Sequence, residues 1–208
     1  MDGLRDQIRA AFEREGSSGW LTISARMVLI ERGVAGDELD ERVERACGFV
    51  RRYVEAVPDV LDRVRAAADE QGAGAEVAGV VAAAKAYFDA PIDVIPDHNG
   101  VAGLVDDAYL ALSLVDRFVG LLSGSAEDNT RAPEPAGALT AANVAIRAMI
   151  GDPLAGQLDA AVEGVLAMAE VRSAAATLAA RGVRLHTVTM SLETADPETG
   201  GLVEPHGR

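Results

Sequence analysis

The sequence predicts an all-α protein: a helical bundle centred on a buried helix-loop-helix, with a candidate small β-hairpin at the C-terminus. Three observations carry this. Apolar residues make up 49% of the 208 residues while aromatics make up only 4%, so the core is built from Ala, Val and Leu. Alanine favours helix and supplies little volume, which requires helices in close contact. Apolar positions recur at helical spacing along most of the chain, and Gly or Pro breaks separate the periodic stretches.

Taken in order, Leu4, Ile8, Ala11 and Phe12 define a first helix that "EGSSG" ends. Trp20 anchors the start of the next, which runs from about residue 21 to 31 and stops at Gly33. In "GDELDERVERACGFVRRYVEAV", Leu39, Val43, Ala46, Val50 and Val54 line one face, with Asp and Arg opposite. Pro58 interrupts or kinks that helix before "DVLDRVRAAADEQ" resumes it. From Ala75 to Asp89 the chain is almost wholly apolar, which predicts a helix buried on most sides. Another helix follows in "GLVDDAYLALSLVDRFVGLL", where Asp106, Ser113, Asp116, Arg117 and Gly120 form a narrow polar stripe.

A main domain is expected over residues 1–122, a polar linker over 123–138, C-terminal helices over 139–181 and a strand-like or flexible tail over 182–208. The C-terminal helices include one long alanine-rich helix from about residue 153 to 181. Within it Gly156, Ala160 and Gly164 recur every fourth residue, a ridge that allows another helix close approach, inside the monomer or across a dimer seam. In the tail, "VRLHTVTMSLE" alternates as a strand does, and "ADPETGG" offers a turn.

Net charge is −14 and the sequence pI is about 4.6. That balance argues against nucleic acid, whose affinity comes largely from Lys and Arg neutralising phosphates, and against an anionic membrane surface. A basic partner protein fits it, while the small-residue ridge leaves a homo-oligomer open. The longest clean apolar run, "VAGVVAAA", falls far short of the roughly 20 residues that cross a bilayer, so no transmembrane segment is expected; peripheral membrane association stays open. A single cysteine, Cys47, and an N-terminus without the order of a signal peptide fit a cytoplasmic protein. No nucleophile elbow or phosphate-loop motif occurs, and His186 and His206 have no chemical neighbours in sequence.

The stretch "YFDAPIDVIPDHNGVAGLVDD" is different. An aromatic, P-I-D-x-I-P-D and a D-D nine residues on resemble the signature of the YkvA-like family (domain of unknown function 1232), over about residues 50–122. The signature falls on Tyr87, Pro91, Ile92, Asp93, Ile95, Pro96, Asp97, Gly103, Asp106 and Asp107. The resemblance implies small, mostly bacterial helical proteins, some beside membrane segments, and no assigned catalytic residues. Ala90 replaces the family's usual serine, and His98 to Gly100 replace an apolar stretch.

Physically, Asp93 and Asp97 beside prolines suit turn and cap positions. Asp106 and Asp107 are expected in the first turn of a helix, where the dipole favours carboxylates. Asp107, rotated toward the apolar face, needs a partner: loop backbone, Lys85, His98, or an ion. Asp93, Asp97, His98, Asp106 and Asp107 together would also suit a divalent metal. Three readings follow: a non-catalytic binding, regulatory or scaffolding module; a metal-dependent hydrolase using that set; and an acidic partner-neutralising protein of immunity type.

Overall fold

The computed structural model describes residues 2–15, 19–89, 101–123 and 138–185. Among them the chain is all-α, in the order α1 (Asp2–Glu15), α2 (Trp20–Glu31), α3 (Asp37–Glu55), α4 (Val57–Glu70), α5 (Gly74–Asp89), α6 (Val101–Ser123), α7 (Ala138–Ile150), α8 (Asp152–Leu166) and α9 (Ala169–Ala180). The hairpin proposed for the tail lies outside the described residues beyond Leu185, as do His186 and His206.

The local reasons for these helices are mostly in the sequence. Leu4, Ile8 and Ala11 bury one side of α1, and Leu21, Ala25 and Leu29 one side of α2. On α3 the buried set is Leu39, Val43, Ala46, Phe49, Val50, Tyr53 and Val54, with Asp37, Glu38 and Asp40 at the positive end of its dipole. Pro58 has no N–H to give the Val54 carbonyl, and the chain passes from α3 to α4 there.

Three helix ends share one closing device. After α2, Gly33 at φ 82° donates to the Ile30 carbonyl and Val34 to that of Leu29. The same pair of bonds follows α4, at Gly72 and Ala73, and α9, at Gly182 and Val183. Glycine takes the left-handed position cheaply, and the apolar residue after it folds back onto the core. Ala73 and Val183 are buried accordingly.

The hub is α6, which contacts all eight other helices. Residues 103–115 are buried without a break, on every side. Buried residues of α1 to α9 join one continuous core, so the helices on both sides of 124–137 pack together.

Two expectations are corrected. The helix that is buried on most sides is α6, whereas α5 exposes Ala75, Ala78, Gly79, Ala82, Lys85 and Ala86. Methyl groups and hydrogens cost little to leave in water, so hydropathy alone could not tell this face from a core face. The single long helix expected to about residue 181 is two, broken at Ala167 and Met168, where Met168 adopts an extended ψ of 137°. Neither glycine nor proline marks the break. It lets α8 lie on α6 and α7 while α9 turns to cover α5 and α6.

Candidate functional site

The family-like segment spans the end of α5, residues 90–100 and the start of α6. Pro91, Ile92, Asp93, Ile95, Pro96, Asp97 and His98 lie outside the described residues. On the α5 side Tyr87 is half-buried, and its hydroxyl is enclosed with no hydrogen-bond partner among the described residues. Burial raises its pKa. On the α6 side Gly103 is buried in the first turn.

Asp106 is fully buried and Asp107 is 3% exposed. The expected contrast between a polar-stripe Asp106 and an apolar-face Asp107 does not hold, because neighbours surround α6. Nor do they occupy its first turn, which contains no acidic residue; the helix starts at Val101 and places them a turn further in. There the backbone N–H groups serve the helix itself, so the dipole and capping account does not apply to either. A charge in that position needs a dedicated partner, and neither carboxylate lacks an interaction. Lys85 is on the exposed face of α5. Among the described residues no group of three His, Cys, Asp or Glu side chains could hold a metal.

Farther along α6 the polar stripe meets α3, α7 and α8. Asp116 accepts from the Thr140 hydroxyl at 2.9 Å and from the Asn143 amide at 3.1 Å. Asn143 in turn accepts from the hydroxyl of the fully buried Tyr53 at 2.6 Å. Burial, with the nearby Tyr109 and Asp116, pushes the Tyr53 pKa well up. This chain of bonds ties α3 to α6 through α7.

Asp159 on α8 is the second hub. Its carboxylate accepts from the Tyr109 hydroxyl at 2.9 Å, from Arg147 at 3.2 Å and from Arg117. Partial burial would raise the Asp159 pKa, but the bonds from Tyr109 and Arg147 and the charges of Arg117 and Arg147 outweigh it, leaving it below the usual carboxylate value. Arg117 also reaches Glu163 at 2.6 Å and Arg147 reaches Asp152 at 2.6 Å.

Sequence reading found Asp116 and Arg117 but missed Tyr53, Thr140, Asn143, Arg147 and Asp159. The available signal was a polar group at an otherwise apolar helical position, as Asn143 is in "ALTAANVAIRAMI". Each hub carboxylate is engaged by several donors, which suits it for holding helices together rather than for accepting a proton from a substrate. A shallow hollow of about 190 Å³, lined by Leu121, Arg172, Ala175, Ala176 and Ala179, lies between α6 and α9, roughly 20 Å along α6 from Asp107.

Gly156, Ala160 and Gly164 are all exposed, and a Cβ added at either glycine would meet nothing within 4 Å. Among the described residues the ridge therefore takes no part in helix packing. No helix among the described residues is long and apolar enough to cross a membrane.

No curated protein and no solved structure shows significant similarity to the chain. Residues 77–112, which run from the first turn of α5 across residues 90–100 into the buried part of α6, match the family described as "Protein of unknown function (DUF1232)".

Proposed function

We propose that the protein is a non-catalytic binding, regulatory or scaffolding module in which the α5–loop–α6 unit fixes the packing of two helices. The observation that supports this is the state of the charged groups in the core. Asp106 and Asp107 are buried with partners in hand, and Asp116 and Asp159 are held by donors from other helices. The half-buried Cys47, beside Thr22, supports a reducing, cytoplasmic setting. A basic protein partner fits the charge better than nucleic acid does, and the exposed small-residue ridge is the feature that would suit a second copy.

The competing reading is a divalent-metal hydrolase in which Asp93, Asp97 and His98 join Asp106 and Asp107. Metal analysis with thermal unfolding, with and without chelator, separates the two. The module reading expects no stoichiometric metal, an unchanged melting temperature in chelator and no turnover of a phosphoester and peptide panel with metal restored. A melting temperature lowered by chelator alone would sink it, because bound metal stabilises only the folded state. The immunity-type reading needs a basic partner whose activity the protein suppresses.

A further inference from the structure

Opposite the buried side of α2, Ile23, Met27 and Ile30 are 57%, 58% and 53% exposed. Their i, i+4, i+7 spacing aligns them in one stripe about 10 Å long. Large apolar side chains exposed singly are ordinary, but three in register on one helix make a patch. One edge of this stripe runs along α3: Arg26 is ion-paired with Asp40, and Thr22 lies beside Cys47. Asp37, Asp40 and Glu44, all exposed, lie within about 60° of one another on that edge of α3. Arg26 offsets Asp40, leaving the rim net acidic through Asp37 and Glu44.

We infer that this surface docks an amphipathic helical segment of another protein, one that carries an apolar stripe with Lys or Arg along its edge. The inference rests on the binding-module reading and names its surface and partner chemistry. An apolar stripe accepts the apolar side of a helix, and the acidic rim selects the charge beside it. A second copy brings the same net charge of −14, and an anionic lipid surface has the same sign, so both are repelled.

The test titrates the full chain with a labelled amphipathic helical peptide of leucine and lysine, and with its counterpart carrying glutamate for lysine. Anisotropy and the methyl signals of Ile23, Met27 and Ile30 are followed. The lysine peptide is expected to bind one-to-one and shift those signals, while the glutamate peptide does not bind. Replacing all three apolar residues with glutamine keeps helix propensity and should weaken binding about tenfold or more. Asp37→Asn with Glu44→Gln should weaken it less and flatten its salt dependence. Circular dichroism of each variant confirms the fold.

Equal affinity in the glutamine variant overturns the inference, since binding is then charge attraction elsewhere on the surface. So does a wild-type dimer that the glutamine variant dissociates, or capture of the wild type by vesicles through the same residues. No arm reads turnover, so a failed titration leaves the non-catalytic reading in place. Turnover of a substrate panel would defeat that reading without altering the titration.

Discussion

The two halves of α6 handle charge inside a helical core in different ways. Near its start Asp106 and Asp107 are enclosed on all sides, in a stretch buried from Gly103 to Val115. Near its end Asp116 and Arg117 are half-buried and reach outward to α7 and α8, where Asp159 gathers Tyr109, Arg117 and Arg147. An enclosed carboxylate depends wholly on its partners because no water can replace one that is lost. At the half-buried end, water and neighbouring donors can compensate in part, so the interaction is spread over several groups.

That contrast sets an order of effects. Asp107→Ala should be the most damaging, destabilising by about 3 kcal/mol or more in denaturant unfolding, because an interaction is lost at an enclosed position where water cannot replace it. A loss below about 1 kcal/mol would mean that the start of α6 tolerates change as the other end does.

Asp159→Asn should cost about 1–3 kcal/mol, since the charge holding two arginines is lost while the shape stays. Its pH dependence is a sharper check. The folded-state pKa is lowered, so the group contributes stability above the ordinary carboxylate value and loses it as pH falls through the folded value. In the asparagine variant that part of the acid decline, below about pH 4, should be missing.

Tyr53→Phe removes the bond to Asn143 and should cost about 1 kcal/mol. Its folded pKa is raised, so its contribution is complete below the unfolded value near ~10 and is lost as pH rises beyond it. The phenylalanine variant should lose less stability in that alkaline range than the wild type. Glu163→Gln is the smallest step. Glu163 is 63% exposed and pairs with a partly exposed Arg117, so a melting curve should shift by about 0.5 kcal/mol or less.

These differences follow what could be read along the chain. Residues such as Leu4, Ile8, Leu39 and Val43 announce their buried side because large aliphatic side chains at helical spacing leave only one economical orientation. Gly33, Gly72 and Gly182 each precede an apolar residue, which marks a helix end by local geometry alone. The candidate site was less legible. Asp106 and Asp107 look like first-turn residues when α6 is started near Gly103, and its start at Val101 changes their environment. Asp159 sits between Leu158 and the ridge residue Ala160 in an unremarkable run, and nothing nearby in sequence points to Tyr109, fifty residues away.

By itself, then, the sequence determined the all-α class, most helix sides, three glycine-closed ends and the family-like segment, because each depends on side-chain size, spacing or backbone freedom within about one or two turns. Tertiary structure alone decided that α6 rather than α5 is enclosed, that the alanine-rich C-terminal stretch breaks at Met168, and that Asp159 gathers three donors. Those outcomes depend on which surfaces meet. A run of alanines carries little preference for core or water, and a buried charge is stable only where distant donors converge on it.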